Sequence, residues 1–229
     1  MLRDFPGPDG INPILALPEK QPIAWGRRWS ASPGCYQLKS AMAWLELFEV
    51  TGESAFQSGY ESALEAALAD QREYLPGATE LQDVMDRLHP YAYFLEGLLP
   101  VLNRAECATA FRDGIDRIGR YLREIAPVFV RSDVYGQLLR VRLLGDARGT
   151  APLDRPAAEF EAKSAASFQI DSSDSGADSS VAGGFLFGRK RGEDMPFVNP
   201  VSTAFCLQAL AMWHDREAGR PIITRHALI

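Results

Sequence analysis

Cysteine is scarce in this 229-residue chain, and its three cysteines, Cys35, Cys107 and Cys206, are widely spaced without a CxxC pair. That pattern indicates neither a zinc knuckle nor a disulfide framework and is typical of reduced thiols in the cytoplasm. No apolar run approaches the roughly 20 residues that cross a bilayer. The N-terminal segment has no apolar core and no small-residue cleavage site, so it is not expected to be a signal peptide. We therefore expect a cytoplasmic protein without a membrane span.

Motifs that would identify a reaction are also missing. The chain has no P-loop, no GxGxxG, and neither the DxDD nor the DDxxD motif of terpenoid enzymes. Cys206 and His214 are about 12 Å apart along a helix, which is too far for one zinc ion. We expect no metal and no cofactor. A net charge of −6 and a pI near 5.2 argue against nucleic acid or an anionic membrane as the partner.

Apolar residues at helical spacing are abundant, whereas β-branched runs, which a parallel sheet would need, are absent. Helices are predicted over residues 36–50, 54–74, 88–102, 106–125, 133–144, 153–169 and 200–217. Segments that are apolar nearly all round alternate with segments that are apolar on one face, and this predicts buried helices covered by amphipathic ones. Pro90 is expected in the first turn of the 88–102 helix, and Pro100 is expected to bend or stop it. The sequence therefore predicts an all-α array of helical hairpins.

The remaining segments divide the chain into regions. Residues 1–32 are rich in proline and are expected to form an extended arm, followed by the hairpin domain over residues 33–219. Within that domain residues 171–182 form a polar loop of Asp, Ser and Gly with no means of packing. Residues 220–229 form a short tail.

The predicted helix over residues 200–217 is apolar on most faces, yet only the short tail follows it. Left uncovered, it would form a patch beyond the few hundred Å² usual for monomers. We expect the arm to cover it, and a homodimer is the second choice. The arm residues expected to make that contact are Ile11, Ile14, Leu15, Leu17, Ile23 and Trp25.

Three segments resemble the inner helices and turns of α/α-toroid proteins. They are Cys-Tyr-Gln at 35–37 with Ala-Met-Ala-Trp-Leu at 41–45, Tyr-Ala-Tyr-Phe-Leu-Glu-Gly-Leu-Leu at 91–99, and Gly-Gly-Phe at 183–185 with Asn-Pro-Val-Ser-Thr-Ala-Phe at 199–205. The last is similar to the glycine-aromatic turn and entry helix of six-hairpin glycosidases and terpenoid-cyclase-like toroids. The resemblance covers most of residues 33–215 and implies a toroid with apolar helices inside and amphipathic helices outside. A complete ring of six hairpins needs more helices than are predicted here, so we expect a partial ring, a domain of a longer protein, or a ring closed by a second chain.

The resemblance leaves the reaction open, because toroids host hydrolases, lyases, epimerases, cyclases and prenyltransferases. We expect a carbohydrate-active protein, glycosidase-, lyase- or epimerase-like, with carboxylates where the inner helices open. One alternative is a non-catalytic module whose groove binds a saccharide, a peptide or a partner chain. Another is a terpenoid cyclase or prenyltransferase without the usual Asp motifs.

Three residues are candidates for catalysis. Glu96 is the only charge between Tyr91 and Leu102, and it shares a helical face with His89. Glu96 is expected to be either an acid–base group whose pKa burial raises or a structural carboxylate that caps a neighbouring helix. His89 is either an acid–base group near neutral pH or a helix-entry residue bonded to backbone. Asp133 is either an N-terminal cap or the second carboxylate that glycoside hydrolysis needs.

Further residues are expected to contact the ligand, because they lie near the predicted entrances of inner helices or could form a stacking wall. The stretch 79–89 is expected to be a loop that brings acidic side chains and His89 to one entrance. The expected ligand-binding residues are Asp83, Asp86, Tyr91, Tyr93, Gln37, Tyr135, Asn199 and Trp29.

Overall fold

A computed structural model describes residues 3–7, 10–26, 28–75, 81–171 and 179–228. Most of these residues are helical, as predicted for an all-α chain. The helices are α1 (Leu38–Thr51), α2 (Ser54–Tyr74), α3 (Leu81–Leu98), α4 (Ala105–Ile125), α5 (Ser132–Ala147), α6 (Arg155–Ala166) and α7 (Pro200–Glu217). Residues 172–178, which make up most of the predicted polar loop, lie outside the described residues, as do parts of the arm, of the 79–89 stretch and of the tail. None of the described helices is long and apolar enough to span a membrane.

Local capping signals place several helix ends correctly. Gly52 ends α1 with φ +73°, and its N–H donates to the Phe48 carbonyl over 2.8 Å. Asp154 caps α6 as predicted, since its carboxylate accepts from the Ala157 N–H over 3.1 Å. Asn199 caps α7 in the same way.

The start of α3 corrects the prediction. The helix begins at Leu81 rather than Leu88, so Pro90 lies in its interior and residues 81–89 are helix rather than loop. Because proline is common in first turns, its position wrongly suggested a helix start. The carbonyl four residues earlier, that of Asp86, loses an N–H partner inside the helix. At the other end the prediction is confirmed, because the α-helix ends at Leu98 and Pro100 lies in a following 3₁₀ turn, Leu99–Val101.

Short strands are present that the sequence did not predict. β1 (Pro6–Gly7) pairs with β2 (Gly10–Ile11), and β3 (Leu15–Ala16) pairs with β4 (Gln21–Pro22), all antiparallel. β5 (Phe129–Arg131), β6 (Gly188–Lys190) and β7 (Glu193–Asp194) form a three-stranded antiparallel sheet. A Cβ at Gly188 would overlap the Val130 carbonyl oxygen, so glycine permits this close pairing. The sheet lies at the start of α5, where the Ser132 hydroxyl donates to the Leu186 carbonyl over 2.6 Å.

The helices form two layers. α1, α3, α5 and α7 form a row in which each contacts the next, while α2, α4 and α6 pack on α1, α3 and α5 respectively. α5 is the most enclosed, with every residue from Ser132 to Gly145 buried. α3 is also mostly buried, as predicted, but only four of the 14 residues of α1 and five of the 18 residues of α7 are buried. The predicted buried helices are therefore found in the middle of the row and not at its ends. The ring of a toroid stays a prediction.

Neighbouring helices α3, α5 and α7 are parallel. Asp86 near the start of α3 pairs with Arg131 just before α5, and Glu96 near the end of α3 pairs with Arg140 further along α5. Near the starts of α5 and α7, the Cys206 thiol donates to the Ser132 carbonyl over 3.4 Å. Near their ends, Arg216 pairs with Asp146 at 3.0 Å. Both helices therefore begin on the same side of the molecule, beside the three-stranded sheet.

The cover of α7 differs from the prediction. Phe205 and Met212 are buried, and α7 contacts α5 and α6. The tail crosses from α7 to α1, since the Gln208 amide donates to the Ala227 carbonyl over 2.7 Å and Arg225 pairs with Glu49.

The described residues of the arm do not supply that cover. Its second strand contacts α2, and Gln37, just before α1, donates to the Ile11 carbonyl over 2.7 Å. Leu17 and Trp25 remain 79% and 54% exposed. For the described arm residues the predicted arm–α7 contact is therefore wrong. α5, α6 and the tail cover part of α7, and its Val201 and Leu207 side chains stay 48% and 47% exposed.

Candidate functional site

Polar side chains meet where α3 and α5 face each other. Because α3 and α5 are parallel, residues at i, i+4 and i+7 on each helix form facing stripes. The two stripes are His89, Tyr93 and Glu96 on α3 and Asp133, Gln137 and Arg140 on α5. With Lys39, Asp86 and Arg131 we call these nine residues the polar cluster.

His89 is held at one end of the cluster. Its Nδ1 lies 2.8 Å from the Gln137 side-chain oxygen and 3.4 Å from an Asp133 carboxylate oxygen. Burial lowers the pKa of His89 although Asp133 opposes the shift, so the ring is neutral at pH 7. Since both neighbours accept hydrogen bonds, Nδ1 carries the proton and Nε2 is left as an acceptor.

Aromatic rings surround the imidazole of His89. Its ring centroid lies 4.7 Å from that of Tyr93, 5.8 Å from that of Phe205 and 6.0 Å from that of Trp29. Trp29 comes from the arm and Phe205 from α7, so three separate parts of the chain enclose this side chain. Tyr93 and Trp29 are only partly buried, which makes them the accessible walls of the cluster.

Arg131 connects the two helices at the cluster's rim. Its guanidinium bonds both Asp133 oxygens, at 2.6 and 3.0 Å, and an Asp86 oxygen at 3.0 Å. The Asp133 side chain is 1% exposed, whereas that of Asp86 is 38% exposed. Asp86 is therefore the carboxylate of the cluster that meets solvent.

Glu96 lies at the other end of the cluster with a side chain that is 0% exposed. It is bonded by Arg140 of α5 and, over 2.6 Å, by Lys39 of α1. The Arg140 guanidinium also lies 4.6 Å from the Phe205 ring centroid. Glu96 thus joins three helices through two cations rather than capping a helix, which differs from the structural role considered for it.

The Tyr93 hydroxyl is the cluster's accessible donor. Burial and the negative charge of Glu96 raise the pKa of Tyr93 to about 12, so the hydroxyl keeps its proton. None of the residues that the structure describes bonds this hydroxyl. It can therefore donate to a bound molecule.

Two predicted aromatic residues lie away from the cluster. Tyr91 faces α2, and its hydroxyl donates to the Gln71 side chain over 3.0 Å. Tyr135 packs beside Phe160 and Phe168, with centroid distances of 6.1 and 6.4 Å. Both rings fill the space between inner and outer helices.

The remaining predicted ligand-binding residues lie at helix starts. Asp83 is exposed in the first turn of α3, and Asn199 accepts from two N–H groups at the start of α7. Gln37 is bonded to the arm through Ile11. Asp86, Tyr93 and Trp29, in contrast, are brought to His89 or its partners.

The sequence reasoning did not include the cluster's cations among the site residues. Arg140 interrupts an apolar stretch, Leu138–Leu139 before it and Val141 after it, and it repeats on α5 the spacing that singled out Glu96 on α3. This repeated spacing could have identified Arg140 as a site residue from the sequence. Arg131 and Lys39 offered none, because each lies in an ordinary polar context.

Metal and thiol chemistry find no support among the described residues. No group of three or more His, Cys, Asp and Glu side chains in that part of the chain could hold a metal ion. Cys206 is buried near Asp133, and burial raises the pKa of its thiol to about 12. An undissociated, buried thiol is a poor nucleophile.

Comparison with known proteins identifies no relative: no family model, no curated protein and no solved structure matches the chain. The toroid resemblance therefore depends on the sequence segments alone.

Proposed function

We propose that the chain binds a saccharide or a similar polyhydroxylated small molecule at the accessible side of the polar cluster, and that His89 transfers a proton there. The observation that carries the proposal is the geometry of His89. The Nδ1 of a neutral imidazole is hydrogen-bonded to the Gln137 side chain over 2.8 Å, an Asp133 oxygen lies 3.4 Å from it, and aromatic rings surround it.

Binding would use the accessible members of the cluster. The rings of Trp29 and Tyr93 offer apolar faces against which a sugar ring can pack. The Tyr93 hydroxyl can donate a hydrogen bond, and the half-exposed Asp86 carboxylate can accept one. This combination of stacking faces, a donor and an acceptor suits a ligand with many hydroxyl groups.

Proton transfer would use Nε2 of His89. A carboxylate behind Nδ1 orients an imidazole and stabilises the cation that forms when Nε2 takes a proton. A positioned imidazole that is neutral at pH 7 can remove a proton from carbon next to a carbonyl. We therefore favour epimerase- or lyase-like chemistry over hydrolysis.

Hydrolysis by two carboxylates is the weaker variant of the proposal. Asp133 and Glu96 are buried, and guanidinium groups occupy oxygens that would have to reach the substrate. The same observation favours the second candidate function, a non-catalytic binding module in which the ion pairs only shape the site. The two candidates share a binding site and differ in whether His89 does chemistry.

The first experiment is a thermal-shift screen with neutral sugars, uronates and geranyl diphosphate, since a ligand that binds the native state raises its melting temperature. Geranyl diphosphate tests the terpenoid alternative. A screen in which no sugar or uronate stabilises the chain would contradict the proposal.

The second experiment follows deuterium from D₂O into the bound sugar by NMR. His89→Gln should abolish the exchange, because glutamine cannot accept the proton. His226→Gln is the matched control in an exposed part of the tail and should leave the exchange unchanged. Binding without exchange in the unaltered chain would favour the non-catalytic module.

A further inference from the structure

A groove of about 1000 Å³ lies between the arm, the start of α1 and one face of α2. We call it the arm groove. Small-molecule sites typically occupy about 300 to 1000 Å³, so it is large enough for a ligand. It lies apart from His89 and its partners, and the inference drawn from it is independent of the proposed function.

The lining of the arm groove is mainly apolar and open. α2 contributes small residues, including Gly59, Ala63 and Ala66, which leave the space above its backbone free. Trp44 lies at the base and is buried, whereas Trp25 is 54% exposed. A half-exposed indole at the edge of an apolar groove would gain burial from a ligand packed against it.

The charges that line the arm groove have one sign. Glu65 and Asp70 contribute carboxylates, and no lysine or arginine occurs among the described lining residues. Asp70 accepts from the Cys35 N–H over 2.8 Å through one oxygen, Oδ2. Burial raises the pKa of Asp70, although the Cys35 N–H and the nearby Arg87 guanidinium oppose the shift. One nitrogen of that guanidinium donates to the Tyr74 carbonyl over 3.1 Å.

We propose that the arm groove binds a small apolar cation, such as an alkylammonium or quaternary ammonium compound. Its apolar part would pack on the small residues of α2. Its charge would lie near Glu65 and Asp70 and over the face of Trp25, because aromatic faces attract cations. Neither an anion nor a neutral chain of the same length would gain both interactions.

Three probes of equal chain length test this proposal: octyltrimethylammonium, 1-octanol and octanoate. Each is titrated into the full chain below its micelle concentration, with calorimetry and tryptophan fluorescence as readouts. We expect saturable binding of octyltrimethylammonium, weaker binding of octanol and none of octanoate. Equal binding of the three probes, or no binding of the ammonium probe, would overturn the proposal.

Matched variants locate the binding. Trp25→Ala and Glu65→Gln change exposed side chains. Each should lower the affinity for octyltrimethylammonium by roughly two- to fivefold, the range expected of one exposed cation–π contact. Asp70→Asn keeps an oxygen that can accept from Cys35 and should act in the same direction. Glu106→Gln removes the same charge from exposed α4 and should leave binding unchanged. Binding that none of the groove variants alters, or that Glu106→Gln alters equally, would show that the probe binds elsewhere.

Discussion

Glu96 illustrates how strongly one buried side chain depends on its partners. Removing its charge would leave the Arg140 guanidinium buried without its anion. We expect Glu96→Gln to lower the free energy of unfolding by about 3 to 5 kcal/mol, the usual effect of breaking a buried pair. Urea denaturation measures the change.

A double variant separates pairing from packing at this position. In Glu96→Leu/Arg140→Met both charges are gone, and we expect most of the lost stability to return, since apolar replacements of a buried pair are often neutral. Glu159→Gln breaks an exposed pair with Lys163 and should leave the urea midpoint unchanged. A double variant as unstable as Glu96→Gln would contradict the pairing explanation.

His89 predicts a dependence of stability on pH. Burial lowers its pKa in the folded chain below the value of about 6.5 that it has when unfolded, so protonation favours unfolding. Its contribution should be complete above pH 6.5 and should be lost as the pH falls through the folded-state pKa. The measurement is the urea midpoint of the unaltered chain and of His89→Gln between pH 7.5 and 5, and only the unaltered chain should show this acid-side loss.

Glu161 should act in the opposite direction. Burial raises its pKa from 4.5 to about 7 despite its pairing with Arg142. A raised carboxyl pKa stabilises the fold at low pH, and that stability is lost as the pH rises from 4.5 through 7. Glu161→Gln should remove this loss of stability at rising pH. It should keep the loss of stability that protonation of His89 causes at falling pH. If His89→Gln and Glu161→Gln both removed the same loss of stability, whether at falling or at rising pH, the assignment of the two groups would be wrong.

Among the elements, α5 and α7 approach each other closely at Gly136. A Cβ there would lie 3.1 Å from the Phe205 carbonyl oxygen and 3.2 Å from the Cys206 nitrogen, both backbone atoms. Because backbone cannot rotate away, Gly136→Ala should push α7 outward and lower stability by about 1 to 3 kcal/mol. Phe205 would move with α7, so ligand affinity at the polar cluster should fall as well.

Gly119→Ala is the control for that change. Its Cβ would meet the Arg142 Nη2 at 3.1 Å, the tip of a long side chain that can shift. Alanine also favours helix over glycine by about 1 kcal/mol. Stability should therefore change little, and equal losses in the two variants would contradict the backbone explanation.

Helix positions were largely predictable because their signals are local. Gly52, Asp154 and Asn199 mark helix ends through backbone groups within a few residues. The start of α3 was missed because proline is common in the first turn of a helix. Pro90 is tolerated in the helix interior only because it is buried there, and that burial is not visible in the local sequence. The strands β5 to β7 were missed because each has only two or three residues, and because β5 pairs with residues far away in the sequence, whereas β6 and β7 form a short hairpin.

At the scale of the whole molecule, the tail connects the two ends of the inner row. Ile222, Ile223 and Leu228 pack on the core, and Arg225 pairs with α1. We expect truncation after Gly219 to lower the melting temperature by roughly 5 to 10 °C, since each kcal/mol is worth about 2 to 4 °C at this size. Differential scanning calorimetry measures the change, and hydrogen exchange should locate it in α1 and α7.

A matched truncation tests the specificity of that effect. Removing residues 1–10 deletes a similar length of chain from the arm, which lies against α2 rather than between α1 and α7. It should leave hydrogen exchange in α7 unchanged. Equal loss of protection in α7 from both truncations would mean that the tail has no particular role in joining the ends.

The candidate site was predictable in part. The face shared by His89, Tyr93 and Glu96 follows from helical spacing, and so does the face of Asp133. The pairing between those faces does not follow from spacing, since Glu96 meets Lys39 and Arg140 across 57 and 44 residues. Which charge meets which is decided by the packing of α1, α3 and α5, and that packing is a property of the whole chain.

The parallel course of α5 and α7 has an electrostatic consequence. Peptide dipoles add along a helix and leave about half a positive charge at its N-terminus. Because both helices begin on the same side, beside Arg131, their dipoles reinforce each other there. The resulting field is opposed by Asp133 in the first turn of α5. Asp86, which also pairs with Arg131, opposes it as well. The dipoles therefore offset these two carboxylates, so that a ligand carrying a carboxylate, such as a uronate, would meet less repulsion on this side of the molecule than Asp86 and Asp133 alone would cause, and this effect would weaken as the salt concentration rises.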